Sequence, residues 1–358
     1  MRVLQIGSDR SKRGILYAGS PACVRQAAYG ARFGALDIIG FSLRGDGRKQ
    51  FAISPQTHVY PTNSFSKLLY GLDTLRILNH LPKADIISAQ DPFEVGLLAL
   101  LISCMEKIPL HVQVHTDFLS PEYGSHSLVN RLRSMVAKFV LQRASHVRVV
   151  SERVKNEITA RYELKVPVSV LPIYVDIERF KNVPHSPELS KRFAHCKTKL
   201  LVVSRLESEK NVSLAIASFA NTVPADTCLI VVGTGSERLK LIDLAKSLGV
   251  EDQVFFEGES DPREYHSVAD LVLVTSRYEG YGIVIIEALA AGKPVISTDV
   301  GIAREAGATI ANEESFPAAL AEWIKSGPRE MHLKGYPYKN FEEYVEKYCD
   351  DIVASTKS

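Results

Sequence analysis

Short apolar runs of four to six residues recur along the whole chain, most of them followed by a stretch whose apolar positions have helical spacing. No other feature constrains the fold so strongly. Runs of this kind suit strands buried on both faces, and the intervening helices supply the crossovers that a parallel sheet requires. In the first half, strands are expected at 3–6, 37–41, 58–60, 86–89, 111–114, 147–150 and 168–171. A second series is expected at 200–203, 229–232, 254–256, 271–275 and 295–297. Between the series, 181–199 carries Pro184 and Pro187 in a polar mixture and reads as a linker region. The expected fold class is α/β, with two doubly wound Rossmann-like domains.

A chain of 358 residues exceeds the size at which single cores stop growing, which agrees with two domains. The expected divisions are 1–180, 181–335, and a C-terminal segment 336–358 whose amphipathic helix at 340–354 packs back toward the first domain. The start of the chain enters a strand directly and lacks the basic and apolar regions of a signal peptide. The longest apolar run, 95–105, is too short to cross a bilayer. Five scattered cysteines, odd in number and without close pairs, argue against a disulfide framework or a zinc cluster and fit a reducing, cytoplasmic setting.

Net charge is only +2, yet residues 1–180 hold 23 basic against 15 acidic side chains, while the remainder is acidic. Such asymmetry suits an anionic partner for the first domain, and it equally suits unselected surface composition. Within the basic half, 130–148 sets Arg131, Arg133, Lys138, Arg143 and Arg148 among apolar residues. A basic amphipathic helix there would either lie on an anionic membrane or cover the domain with a solvated face. No nucleic-acid partner is implied.

In open α/β sheets ligands bind beyond the carboxyl ends of the strands, so the residues that follow each strand of the second series are the candidate site. They are Ser204-Arg205-Leu206 with Lys210-Asn211, then Gly233-Thr234-Gly235, then Glu257-Gly258, then the turn containing Glu279, Gly280, Tyr281 and Gly282, with Glu287 on the helix that follows. A helix start offers unpaired N–H groups and a partial positive charge to a phosphate, and flanking carboxylates can accept hydrogen bonds from sugar hydroxyls. The helix around Glu287 is apolar nearly all round, which predicts a buried carboxylate in need of a partner or ligand.

These motifs together resemble the retaining glycosyltransferases of GT-B fold belonging to family 4, over essentially the full length and most strongly across 171–305. Members carry Gly-Arg-Leu followed by Lys-Asn, matched here except at Ser204, then Gly-x-Gly, and two glutamates with seven residues between them, matched by Glu279 and Glu287. The stretch 172–180 is similar to their interdomain Pro-Asn-Gly-Val-Asp…Phe, with Ile173-Tyr174 in place of Asn-Gly. Their paired glycines after the first strand are represented only by Gly19.

The resemblance implies two domains facing a cleft and a nucleotide-sugar donor. Arg205 and Lys210 would hold the diphosphate with backbone N–H groups of Gly280, Tyr281 and Gly282. Glu287 would hold the ribose, Glu279 the transferred sugar, and Glu257 with Gly258 would lie near the base. Gly19, Gly233 and Gly235 complete the donor side, and His115 is similar to the histidine that faces the donor sugar. The implied acceptor is lipid-linked or a polysaccharide of the cell envelope, reached from the cytoplasm or from the inner face of the membrane. No cofactor is expected, and the chain has no Asp-x-Asp to hold a metal on the diphosphate. The other readings are a sugar-nucleotide epimerase of the same fold, for which no set of acid and base residues stands out, and a non-catalytic nucleotide-sugar-binding protein.

Overall fold

The computed structural model describes residues 1–8, 14–181 and 183–356, the side chain of His126 excepted. The chain divides into two compact units, Met1–Pro172 with Asn340–Ser358, and Ile173–Lys339. The stretch read as a linker belongs to the second unit and contains a short helix, Pro187–Arg192, before the first strand there; its Asn182 lies outside the described residues.

The first unit is built on eight strands: β1 (Arg2–Gly7), β2 (Ala35–Gly40), β3 (Phe51–Ser54), β4 (Thr57–Pro61), β5 (Ile86–Ala89), β6 (Leu110–Val114), β7 (His146–Val149) and β8 (Val168–Val170). Their order is β3-β4-β2-β1-β5-β6-β7-β8, parallel throughout except for β3 on β4. Strand β3 was not expected: none of its residues is fully buried, and it pairs only at the sheet edge.

Strand β6 alternates between two environments because side chains point to opposite faces of a sheet. Val112 and Val114 take one side, His111 and Gln113 the other, and all four are buried. The C-terminal helix, Phe341–Ala354, covers the polar side. Its Asp351 meets the Nε2 atoms of His111 at 2.9 Å and His146 at 3.2 Å, and Tyr348 accepts a hydrogen bond from Gln113 at 2.8 Å. Tyr29 stacks on Tyr348 with ring centroids 4.0 Å apart, fixing the helix against Pro21–Phe33. Burial alone would raise the Asp351 pKa, but hydrogen bonds from the two histidines outweigh it and hold the carboxyl well below its usual range.

This seam corrects the expected basic helix at 130–148. The helix is Leu128–Leu141 and stops there, so Arg148 lies in β7. Arg148 is fully buried, donating to Gln113 Oε1 at 2.7 Å and to the Leu171 carbonyl at 2.9 Å. A buried guanidinium is tolerable because its donors find acceptors. Arg143 also falls beyond the helix end.

The second unit contains β9 (Thr198–Val203), β10 (Thr227–Val232), β11 (Val254–Gly258), β12 (Leu271–Val274), β13 (Val295–Ser297) and β14 (Thr309–Ile310). All are parallel, in the order β11-β10-β9-β12-β13-β14. Leu200, Val202, Leu229, Val231, Leu271 and Leu273 form one side of its core, each at most 3% exposed. Full burial of such side chains stabilises by roughly 1.5–3 kcal/mol each before entropy is counted.

The cysteine expectation is corrected here. Cys196 and Cys228 are bonded, with Cα atoms 5.7 Å apart, across a sequence separation of 32. That spacing hid the pair, which forms because the parallel pairing of β9 and β10 brings their starts together. His195 adjoins this bond, its Nε2 3.7 Å from Cys228 Sγ. Among the described residues no helix is long and apolar enough to cross a membrane.

Candidate active site

Strand order in the second unit runs outward in opposite directions from the β9–β12 pair, so the crossovers after these two strands diverge onto opposite faces of the sheet. The crevice at their carboxyl ends is where such sheets bind ligands. After β9 the chain passes Leu206, fully buried, and tightens into a single turn, Ser208–Lys210. Asn211 then takes a left-handed conformation, φ 48°, and the helix Val212–Thr222 begins. After β12 come Ser276, Arg277 and Glu279.

The two loops meet through charge. Lys210 Nζ lies 2.5 Å from Glu279 Oε1, and the same oxygen accepts from Ser276 Oγ at 2.8 Å. Both side chains are mostly but not wholly covered, 17% and 19% exposed, so the pair is open to a ligand. The Lys210 carbonyl is held separately by Thr275 Oγ1 at 3.0 Å. With backbone and ammonium both fixed to the β12 loop, the cation at the crevice has a defined position.

Arg277 was not among the expected residues and braces this arrangement. Its backbone N–H donates to the Glu209 carbonyl at 2.8 Å, and its guanidinium donates to the Ser208 carbonyl at 2.9 Å and to Asn211 Oδ1 at 3.2 Å. Its place between Ser276 and Glu279 was the available signal, though Ser208, Glu209 and Asn211 lie more than sixty residues earlier and Glu313, 3.6 Å from its Nε, lies later. Arg205 is differently placed from Lys210. It is 70% exposed and pairs with Glu209 at 2.7 Å.

The glycines after β10 have a packing role. A Cβ on Gly233 would stand 1.8 Å from the Ser204 carbonyl oxygen, and one on Gly235 would stand 2.3 Å from that of Leu206. The β9 and β10 loops therefore run in backbone contact, tied by Leu206 N–H to the Thr234 carbonyl at 2.8 Å. Glu257 closes the neighbouring strand end, its carboxylate 3% exposed and held by Arg192 at 2.7 Å and Tyr265 at 2.9 Å. Gly258 ends β11.

Beyond Glu279, Gly280 and Tyr281 are buried, and Gly282 caps the helix Ile283–Ala290 with φ 90°, a conformation that favours glycine. No side chain caps that helix start. The Ile285 N–H closes back on the Gly282 carbonyl at 3.0 Å. Glu287 departs from the expected burial. It is half-buried on the helix's open face with Ile283 and Ala290, because the apolar sequence exceeds what the core can cover.

In the first unit, Gly19 stands in an exposed turn before Pro21–Phe33, and His115 follows β6 at the end of the polar seam. Burial, then Arg148 and His111, push the His115 pKa down to about 3. The ring is neutral at neutral pH, able to donate or accept a hydrogen bond but not to act as a protonated acid.

Family models match both parts of the sequence. Glycosyltransferase Family 4 matches residues 32–179, and Glycosyl transferases group 1 matches residues 189–339. The chain is built of two glycosyltransferase domains. The fold is GT-B: the structure of Anabaena HepE in complex with UDP-glucose superposes with a TM-score of 0.70 at 20% identity, covering 100% of this chain and 97% of that one. Among curated proteins, alpha-monoglucosyldiacylglycerol synthase of Streptococcus pneumoniae is 29% identical over 229 residues, covering 60% of this chain and 51% of the relative. N-acetyl-alpha-D-glucosaminyl L-malate synthase of Bacillus anthracis is 28% identical over 200 residues, covering 55% and 51%. The chain thus spans about half the length of these curated relatives. The group 1 glycosyltransferase domain holds Arg205, Lys210, Gly233, Gly235, Glu257, Gly258, Glu279 to Gly282 and Glu287; the family 4 domain region holds His115.

Proposed function

We propose that the chain is a glycosyltransferase that moves a sugar from a nucleotide-diphosphate donor to a lipid-linked or polysaccharide acceptor. The observation that carries this reading is the Lys210–Glu279 pair at the carboxyl ends of β9 and β12. A donor diphosphate would compete for Lys210, joined by Arg205 and the N–H groups of Gly280, Tyr281 and Gly282. Glu279, released from the ammonium, would then accept a hydrogen bond from a hydroxyl of the sugar.

Cleavage of the glycosyl–phosphate bond leaves negative charge on the diphosphate, and fixed positive groups aimed at it lower the barrier. Glu287 on its open helix face suits the ribose hydroxyls, and Glu257 with Gly258 the base. Gly233 and Gly235 keep the β9 and β10 loops close enough to frame the donor. In the first unit, His115, neutral at neutral pH, and Gly19 are assigned to sugar transfer by the resemblance alone. The lack of Asp-x-Asp supports chemistry without a metal on the diphosphate.

In this reading the acceptor hydroxyl attacks the face that the phosphate leaves, the departing phosphate oxygen takes the hydroxyl proton, and configuration is retained. A screen of labelled nucleotide sugars for transfer or donor hydrolysis tests the activity, and NMR of the product anomer tests retention. Absence of turnover with every donor, alongside tight donor binding, would replace the transferase with a binding protein.

A further inference from the structure

The helices Glu94–Glu106 and Leu128–Leu141 are the successive crossovers on either side of β6, and they pack side by side on one face of the first unit's sheet. Arg133 Nε binds Glu94 Oε1 at 2.8 Å between them. Both bury one side, through Val95, Ala99 and Ile102 in the first and Ala137, Val140 and Leu141 in the second. The opposite sides are also apolar. On the second helix Leu128 is 80% exposed, Leu132 61%, Met135 69% and Phe139 45%, spaced so that all four share one stripe. Leu97, Leu101 and Met105 are 44%, 51% and 57% exposed along the first helix. Single exposed apolar residues need no explanation, but two adjacent stripes on one face do.

We propose that this face is a docking surface for an anionic lipid bilayer. Residues 128–143 contain four basic side chains and no acidic one. Arg131 donates to the Gly124 carbonyl, Arg143 lies 3.9 Å over the Phe139 ring, and Lys138 faces the Tyr162 ring, and none of these three contacts neutralises its cation. An apolar stripe flanked by cations complements acyl chains beneath anionic headgroups. Two copies of this chain meeting through the same face would bring like charges together, which disfavours self-association. The surface belongs to the first unit and the Lys210–Glu279 pair to the second, and the proposal does not depend on the transferase reading.

The test is cosedimentation of the full chain with vesicles of phosphatidylglycerol and phosphatidylcholine, against phosphatidylcholine alone. Binding is expected only with the anionic lipid and is expected to weaken with salt. The double variant Arg131→Glu, Lys138→Glu should reduce partitioning by at least about tenfold, as each basic residue near such a surface contributes about fivefold. Leu132→Asp with Met135→Asp should abolish binding while leaving the melting temperature in place, since both residues face solvent. Lys210→Ala should bind vesicles as the parent does, which separates this surface from failure of the proposed activity. No vesicle binding by the parent chain, undiminished binding by both double variants, or a parent dimer that the Asp variants convert to monomer would overturn the proposal.

Discussion

Two contacts between a carboxylate and a side-chain nitrogen, one in each unit, are both of hydrogen-bond length and differ in everything else. Asp351 meets His111 at 2.9 Å with the histidine wholly buried and the carboxylate 9% exposed. Glu279 meets Lys210 at 2.5 Å with both partners near one-fifth exposed. The first contact is sealed beneath the C-terminal helix and saturated by Ser88 and His146. The second lies at the carboxyl ends of β9 and β12, where strand order reverses and the helices diverge. Burial makes a polar pair part of the scaffold, and an open position at the switch point makes it a site.

Substitutions should separate the two. Lys210→Ala should lower turnover by about a hundred- to a thousandfold, the cost of removing a preorganised group that stabilises developing charge. Steady-state rates on the donor found by screening measure it. The same change should alter stability by no more than about 1 kcal/mol, since the pair is partly solvated. Asp351→Ala should do the reverse, costing about 3 kcal/mol in denaturant unfolding by stranding two buried histidines. Activity of the folded fraction should persist.

A smaller effect is expected from pH. The Asp351 pKa is depressed in the folded chain, so its contribution is complete above the ordinary carboxyl range and disappears as pH falls below it. His111, held below its ordinary 6.5 by burial, adds a loss of stability as pH drops beneath that value, because the unfolded chain takes up the proton first. Asp117 acts in the opposite sense. Burial and Glu157 raise its pKa from 3.8 to about 7, so the fold loses stability as pH rises through that window and levels off above it. Asp117→Asn should therefore melt higher than the parent by a margin that grows between about pH 4 and 7. A constant margin across denaturation curves in that range would remove Asp117 from the account.

The same contrast explains what the sequence made legible. Buried strands such as β5 and β13 announce themselves because a parallel sheet needs apolar residues on both faces, and the expected bounds there match the observed ones. Strand β14, two residues at a sheet edge, has no such requirement to reveal it. Lys210 and Glu279 were readable as separate residues following strands, but their contact spans 69 positions and depends on β9 lying beside β12. Arg148 was misplaced for the same reason. A basic residue reads as surface until Gln113 and the Leu171 carbonyl are known to be waiting for it.

The central claim, that the Lys210–Glu279 pair is the donor site, is tested most directly by calorimetric titration of nucleoside diphosphates and their sugar conjugates. The parent chain, Lys210→Ala and Glu279→Ala would be compared. Lys210→Ala should lose at least about tenfold in affinity for the diphosphate. Glu279→Ala should keep that affinity and lose only what the sugar adds. Parental affinity of both variants for the diphosphate and for its conjugate would contradict the claim.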